Sequence, residues 1–247
     1  MLHLPSRTTK PRTKGITSVQ DTRLSTGELT AILTDYSDFI DVAKIGVGVA
    51  YILPNLQKKI DMYQEANTDV YFGGTLFEKF YHQNKLDDFL RYLDKHKINM
   101  LEVSCGTIDI SIDDRCALVE KLSKNYRVLS EVGSKDQADI MPPSEWISEI
   151  NALFQAGAEY VITEGRDSGT AGIYRPNGEL RSGLVSDIIK ETQVDKLIFE
   201  APSSPVQMFF INSVGPNVNL GNVSPLDLAL LEAQRQGLRS ETFFLDK

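Results

Sequence analysis

The chain has 247 residues, 41% hydrophobic and 24% charged, which is typical of a soluble globular protein with a sizeable core. Its formal net charge of -8 argues against nucleic acid or an anionic membrane as the main partner. No apolar run approaches the roughly 18 residues that span a bilayer. The basic N-terminus lacks the apolar segment of a secretory signal, and Cys105 and Cys116 have no metal-ligand spacing. We therefore expect a cytoplasmic protein that binds neither nucleic acid nor a membrane.

Eight short apolar segments are predicted to be β-strands. Most are rich in Val, Ile, Leu or Phe and stop at a turn that contains Gly, Pro or Asn, as strands of a buried parallel sheet do. In chain order they lie within residues 15–21, 39–45, 70–72, 98–103, 126–135, 160–163, 197–199 and 217–220.

A segment with helical spacing of apolar residues follows each strand. Ser25 with Glu28, and Ser111 with Asp114, have the spacing of N-terminal capping residues. Gly157 suits the left-handed position that ends a helix. The predicted helices lie at about residues 25–36, 54–63, 86–96, 111–122, 142–157, 184–189, 204–215 and 224–237.

This strict alternation implies parallel strands joined by right-handed crossovers. Eight strand–helix units predict one (β/α)8 TIM barrel over residues 1–247, with residues 1–14 as a basic N-terminal arm. The arm is either a solvated tail or a segment folded over the barrel mouth. The alternative fold, an open doubly wound sheet, usually has a GxGxxG turn after its first strand, and this sequence has none there.

Four of the predicted strands end at a glutamate that precedes a turn with Gly or Pro. The carboxyl ends of the strands share one rim of a TIM barrel, and active sites lie at that rim. Carboxylate oxygens suit a hard cation such as Mg2+, although any one glutamate could instead pair with a neighbouring Lys or Arg and shape the rim. The candidate metal ligands are Glu102, Glu131, Glu164 and Glu200.

Three cationic residues near the same strand ends are candidate catalytic residues: Lys44, Lys135 and Arg166. A lysine in a desolvated pocket beside another cation can have its pKa lowered and serve in proton transfer. Lys44 could instead form a Schiff base, as in an aldolase. Arg166 is a candidate anion clamp. Spacing alone does not choose between the two lysine chemistries.

The loops after the seventh and eighth strands of TIM barrels often bind a phosphate through backbone N–H groups and a helix N-terminus. Residues 219–225 place a glycine and two amides just before a capped helix. A plain helix-starting turn is the alternative. The candidate substrate-binding residues of the whole rim are Gly74, Thr75, Asn219, Gly221, Asn222 and Arg239.

The assembled motifs resemble the phosphosulfolactate synthase family. They are DVAKIGVG (41–48), YFGGTLFEKF (71–80), LSEVGSK (129–135), AGAEYVITEGRDSG (156–169), LIFEAP (197–202), GPNVNLGN (215–222) and LRSETF (238–243). The resemblance implies a TIM barrel that catalyses Mg2+-dependent addition of sulfite to phosphoenolpyruvate, giving (2R)-phospho-3-sulfolactate. It also implies that Lys135 is the acid/base. The reaction opens coenzyme M biosynthesis in methanogens and leads to sulfolactate in bacterial relatives. We further expect a homo-oligomer, because exposed barrel helices commonly associate.

The sequence departs from the family pattern at three positions. Val47 and Val49 stand where the family commonly has a Trp and a Thr or Ser, and Cys105 stands where Asp or Asn is common. These changes are either neutral or alter the substrate preference or rate. The departures keep open a non-catalytic barrel relative. Another barrel that uses phosphoenolpyruvate or a phosphosugar, such as an aldolase with a Schiff base on Lys44, is the second alternative.

Overall fold

A computed structural model describes residues 2–134, 141–165 and 168–245. Its strands are β1 Thr17–Gln20, β2 Val42–Ile45, β3 Asp69–Phe72, β4 Met100–Val103, β5 Arg127–Val132, β6 Tyr160–Thr163, β7 Leu197–Glu200 and β8 Leu220–Val223. They form one parallel sheet in the order β3-β2-β1-β8-β7-β6-β5-β4. The two end strands, β3 and β4, contact each other, so the ring is nearly closed. The predicted TIM barrel is confirmed.

The helices of the described residues surround this ring. They are α1 Thr26–Tyr36, α2 Leu56–Glu65, α3 Gly74–His82, α4 Leu86–Lys95, α5 Ile112–Leu122, α6 Pro143–Gln155, α7 Ser182–Glu191, α8 Ser204–Val214 and α9 Leu228–Arg235. The predicted capping box is present at α1, where Ser25 Oγ accepts from Glu28 N and Glu28 Oε2 accepts from Ser25 N. None of these helices is long and apolar enough to cross a bilayer.

Two separate apolar cores hold the barrel together. The larger lies between the strands and the helices and contains large side chains such as Phe72, Trp146 and Phe210. The smaller fills the lower barrel interior, towards the amino ends of the strands, with residues from seven strands or their edges: Ile16, Val42, Tyr71, Met100, Leu129, Tyr160, Ile162 and Ile198. Because strand side chains alternate between faces, every second strand residue enters this interior.

The eighth strand differs from its prediction: it covers Leu220–Val223, so Asn219 precedes it. The Asn219 side chain accepts a hydrogen bond from Ile16 N (2.9 Å) and donates to the carbonyls of Asp195 (2.8 Å) and Leu197 (2.9 Å). These partners lie before or at the start of β1 and β7. The expectation that Asn219 lies at the mouth is therefore wrong, because its amide joins chain segments at the opposite end of the barrel.

Helix α3 was also missed in the sequence. The pair Gly73-Gly74 has the composition of a loop, which hid the helix that begins directly at Gly74. Tertiary contacts override this weak propensity: Leu76 and Phe77 on α3 are buried in the large apolar core.

The N-terminal arm is packed against the lower end of the barrel, away from the mouth. Arg7 forms an ion pair with Glu232 of α9 (3.1 Å), and both side chains are nine-tenths buried. Arg12 pairs with Asp41, the residue before β2 (3.0 Å). Lys10 donates to two backbone carbonyls in the segments that precede β2 and β3. Neither expectation for the arm, a solvated tail or a cover over the mouth, is correct.

We predict that Arg7→Ala lowers the free energy of unfolding by about 3 kcal/mol, because it leaves the Glu232 carboxylate buried without its partner. Urea denaturation followed by circular dichroism measures this loss. Lys14→Ala is the matched control in the same arm, because its pair with Asp195 is exposed (50% and 66% of the side chains). That control should change stability by less than about 0.5 kcal/mol. A loss in Arg7→Ala no larger than that in Lys14→Ala would show that the buried Arg7–Glu232 pair does not stabilise the barrel.

Candidate active site

A cavity of about 310 Å³ opens at the carboxyl ends of the strands. Each strand, or the turn directly after it, contributes to its wall. The wall residues, from β1 to β8, are Gln20, Lys44, Gly74 with Thr75, Glu102, Glu131, Glu164, Glu200 and Asn222, joined by Val47 and Ser168 from loops. The four glutamates predicted from the strand ends therefore meet around one mouth.

The charged layer of this wall lies directly above the apolar interior. Glu102 follows Met100 by two positions, and Glu200 follows Ile198 by two positions. Residues two apart on a strand point to the same face, so the glutamate comes next after the apolar residue on the way out of the barrel. The same spacing relates Lys44, Glu131 and Glu164 to interior residues.

Lys44 is the buried cation at the centre of this layer. Its Nζ lies 3.3 Å from Glu102 Oε2 and 3.3 Å from Glu200 Oε1. Burial by itself lowers the pKa of Lys44, but the surrounding acidic groups, first Glu102 and then Tyr71 and Glu200, raise it well above its ordinary value. Lys44 is therefore a fixed ammonium ion. The expectation that its pKa could fall towards neutrality does not hold.

Glu200 connects the β6 loop to the charged layer. Its Oε1 contacts Lys44, and its Oε2 accepts a hydrogen bond from Gly165 N (2.8 Å). The Tyr174 hydroxyl donates to the backbone carbonyl of Glu200. A Cβ on Gly165 would come within 2.5 Å of the Tyr174 ring, so only glycine fits at this turn. The loop after β6 is thus anchored directly on the cavity wall.

The glycines after β3 allow α3 to begin at the wall. A Cβ on Gly74 would lie 2.3 Å from Glu102 Oε1, 2.3 Å from Ser104 Oγ and 2.7 Å from Ser104 Cβ. Farther along α3, the buried Glu78 accepts hydrogen bonds from Ser104 Oγ (2.9 Å) and Thr107 N (3.2 Å). Glu78 therefore holds the loop after β4 in place, a role that the sequence did not reveal.

A β-bulge directs Asn222 into the cavity. Thr17 pairs with Leu220 and Val19 with Val223, so β8 has one residue more than β1 over this interval. Asn222 takes up the extra residue with a left-handed backbone (φ 53°). Its buried Oδ1 has no hydrogen-bond partner among the described residues. Asn222 was predicted at the rim, but its bulge was not.

The other predicted site residues lie elsewhere. Gly221 is in the barrel interior, where a Cβ would come within 2.9 Å of Ile198, so its small size serves packing. Arg239 pairs with Glu241 (3.2 Å), lies close to Ser204 at the start of α8, and is not among the described residues that line the cavity. Lys135 and Arg166 lie outside the described residues.

Sequence reasoning missed Gln20, although it lies two positions after the interior-facing Ser18 and the alternation could have revealed it.

Two of the departures from the family pattern, Val47 and Cys105, line different cavities. Val47 lines the cavity and is half exposed. Cys105 lines a neighbouring cavity, and burial raises the pKa of its thiol to about 12, so the thiol is protonated.

The wall has the donor chemistry that Mg2+ prefers. Its carboxylate and amide side chains supply oxygen atoms, and its described residues include neither a histidine nor a cysteine. The described residues contain no group of three His, Cys, Asp or Glu side chains arranged as a ready metal site. Mg2+ commonly binds through one or two carboxylates together with substrate oxygens and water, so this arrangement fits the ion.

The barrel, with a polar cavity at the carboxyl ends of its strands, defines a TIM-barrel enzyme. A solved structure of 3-hexulose-6-phosphate synthase from Salmonella typhimurium shares this fold, with a TM-score of 0.54 at 12% identity over 88% of this chain and 96% of that chain. The family model "(2R)-phospho-3-sulfolactate synthase (ComA)" matches residues 5–241.

Two curated relatives agree with that match. The phosphosulfolactate synthase of Bacillus subtilis is 41% identical over 99% of this chain and 98% of the relative. That of Methanothermobacter thermautotrophicus is 34% identical over 96% of this chain and 95% of the relative. The chain therefore belongs to the phosphosulfolactate synthase family of carbon–sulfur lyases, as the motifs indicated.

We predict that Gly74→Ala lowers the free energy of unfolding by about 1–3 kcal/mol, because the added methyl group displaces Glu102 and Ser104. Gly183→Ala is the matched control, since a Cβ at this position in α7 meets nothing within 4 Å. That variant should gain about 0.4–1 kcal/mol from the reduced entropy of the unfolded chain. Urea denaturation measures both, and a stabilised Gly74→Ala would contradict the tight contact.

Proposed function

We propose that this enzyme adds sulfite to phosphoenolpyruvate in a Mg2+-dependent reaction that gives (2R)-phospho-3-sulfolactate. The observation that carries the proposal is the meeting of the family's motifs, distant in the chain, around one cavity. Lys44, Gly74, Glu131, Glu164 and Glu200 come from five different motifs. The curated relatives carry the corresponding name.

The reaction needs one bond to form and one proton to arrive. The sulfur lone pair of sulfite attacks C3 of phosphoenolpyruvate, a C–S bond forms, and the π electrons of the C2–C3 double bond move to C2. A proton then adds to C2, while the phosphate ester stays intact and no redox change occurs. Because sulfite is already a good nucleophile, the protein mainly has to position two anions and stabilise the charge that develops.

Lys44 suits the stabilising role. Its ammonium is fixed between Glu102 and Glu200, so it does not reorganise when negative charge develops on C2 and the substrate carboxylate. The raised pKa of Lys44 keeps this charge in place across the working pH range. Lys44 acts here as an electrostatic group, and a different residue has to supply the proton.

Lys135 is the proposed source of that proton, and Arg166 is a proposed anion clamp. Lys135 follows Glu131, a residue of the cavity wall, by four positions in the sequence. Arg166 follows Gly165, whose N–H donates to Glu200. A positioned acid that delivers a proton to one face of C2 would give a single stereoisomer.

The proposed ligands of Mg2+ are drawn from the four wall glutamates, Glu102, Glu131, Glu164 and Glu200. Their carboxylates line one cavity, and Mg2+ commonly binds through one or two carboxylates together with substrate oxygens and water. When bound, Mg2+ would supply Lewis-acid stabilisation of negative charge on substrate oxygens. The cytoplasmic location, the homo-oligomeric state and the metabolic route expected from the sequence stay predictions.

We expect purified protein with sulfite, phosphoenolpyruvate and Mg2+ to form the sulfonate product, detected by mass. Lys135→Ala should lower kcat by about 10²–10⁴-fold, because the acid is lost. Lys124→Ala, a change of an exposed lysine before β5, is the control and should keep full activity. Full activity in Lys135→Ala would refute the acid/base role, and activity unaffected by chelator would refute the metal role.

A Schiff base on Lys44, the alternative chemistry, requires a neutral amine, which the raised pKa disfavours. We predict that borohydride treatment in the presence of phosphoenolpyruvate or pyruvate leaves the mass of the protein unchanged. Intact-protein mass spectrometry checks this, with an authentic Schiff-base aldolase as the positive control. A covalent adduct mapped to Lys44 would support the aldolase route instead.

A further inference from the structure

A second cavity, of about 280 Å³, adjoins the first at the side of the mouth. The loops after β1, β7 and β8 form it. Gln20 and Asn222 line both cavities, so the two compartments share a wall. A ligand that extends from one cavity into the other can therefore place a different chemical group in each cavity.

The two compartments differ in charge. Among the described residues, the central wall has four carboxylates and the ammonium of Lys44, which already pairs with two of those carboxylates. The side cavity has no acidic residue in its described lining, and it has the guanidinium of Arg23 and the hydroxyls of Thr22 and Ser224. Among the described side chains, a dianionic group is therefore attracted more strongly to the side cavity than to the central wall.

Within the part of the chain that the structure describes, no side chain compensates the charge of Arg23. Among the described residues, Arg23 forms neither an ion pair nor a side-chain hydrogen bond, whereas Lys44 pairs with Glu102 and Glu200. A guanidinium presents paired N–H donors that match the oxygens of a phosphate group. Arg23 is therefore available to an external anion.

A buried ion pair fixes the loop that carries Arg23. Asp21 accepts from Leu24 N (3.3 Å), and Lys59 donates to the Leu24 carbonyl (2.8 Å). Lys59 Nζ and Asp21 Oδ2 lie 2.6 Å apart, and the Tyr63 hydroxyl donates to the same oxygen (3.0 Å). Both backbone groups of Leu24 are held, so the loop stays in place while the Arg23 side chain extends at the surface.

The shared wall provides a polar contact for a ligand that crosses it. Asn222 is only 8% exposed, and its Oδ1 has no hydrogen-bond partner among the described residues. The same amide has Nδ2–H donors, which can donate to a phosphate or carboxylate oxygen of a ligand. The bulge in β8 places this amide between Lys44 on one side and Arg23 on the other.

We infer that the side cavity binds the phosphate group of phosphoenolpyruvate, with Arg23 as its cation. The reacting carbons and the carboxylate then lie in the central cavity near Lys44. This assignment rests on the proposed substrate, and it extends the sequence prediction of a phosphate site at residues 219–225 to the loop after β1. Asn222 contacts the substrate at the junction.

The test compares Arg23→Gln with Arg91→Gln, which removes the same charge from the exposed face of α4. Steady-state rates should show KM for phosphoenolpyruvate raised about tenfold to a hundredfold in Arg23→Gln, the loss of a charged hydrogen bond to phosphate. KM for sulfite should be unchanged, Arg23→Lys should recover part of the loss, and Arg91→Gln should match the wild type. An unchanged KM for phosphoenolpyruvate, or a raised KM for sulfite alone, would overturn the assignment.

A binding measurement separates this inference from the proposed reaction. Calorimetry with inorganic phosphate and with phosphoenolpyruvate, both without sulfite, should show binding to the wild type that weakens in Arg23→Gln by a similar factor. Wild-type protein that makes no sulfonate but binds phosphate through Arg23 would refute only the proposed reaction. Equal phosphate binding by wild type and Arg23→Gln, or no binding by either, would refute the phosphate site.

Discussion

The contact of the Lys44 ammonium with two carboxylates is the interaction on which the mouth of this barrel depends. Glu102 and Glu200 come from strands on different sides of the ring, and each lies 3.3 Å from Lys44 Nζ. A buried carboxylate is costly without a partner, and so is a buried ammonium. Their mutual compensation allows a charged layer to lie directly on the apolar interior. It also means that Lys44 is already a positively charged ammonium ion before a substrate binds.

This arrangement helps to overcome the electrostatic repulsion between the two anionic substrates of the proposed reaction. Sulfite and phosphoenolpyruvate are both anions, and the protein itself has a formal net charge of -8. The charges of the described residues differ between the two cavities. Four carboxylates and the Lys44 ammonium line the central cavity, and the Arg23 guanidinium lines the side cavity. A metal at the centre and a guanidinium at the edge would then each meet a different part of one substrate. Local placement of charge, more than net charge, decides what this acidic protein can bind.

Much of the fold and part of the site could be predicted from the chain alone. The glutamates were found because each ends a buried strand, and the period of two then places them in the interior. Gln20 follows the same period of two, but it was overlooked because the prediction relied on charged residues at the strand ends. Asn219 was misplaced because its side chain bonds to backbone groups at the opposite end of the barrel, which only the folded chain reveals. Helix α3 was hidden by two glycines, of which Gly73 makes room for Lys44 and Gly74 makes room for Glu102 and Ser104.

By itself the sequence determined the alternation of eight strands with helices, the helix caps at Ser25 and Ser111, and the family to which the chain belongs. These features depend on the spacing of nearby residues and on short continuous motifs, which can be read directly from the sequence. Only the tertiary structure decided that Lys44 meets Glu200, 156 positions away, and that one extra residue in β8 turns Asn222 inward. It also decided that the basic arm packs at the lower end of the barrel. The physical reason is the same in each case. A charged or polar group can be buried only where it finds a partner, and that partner is distant in the chain.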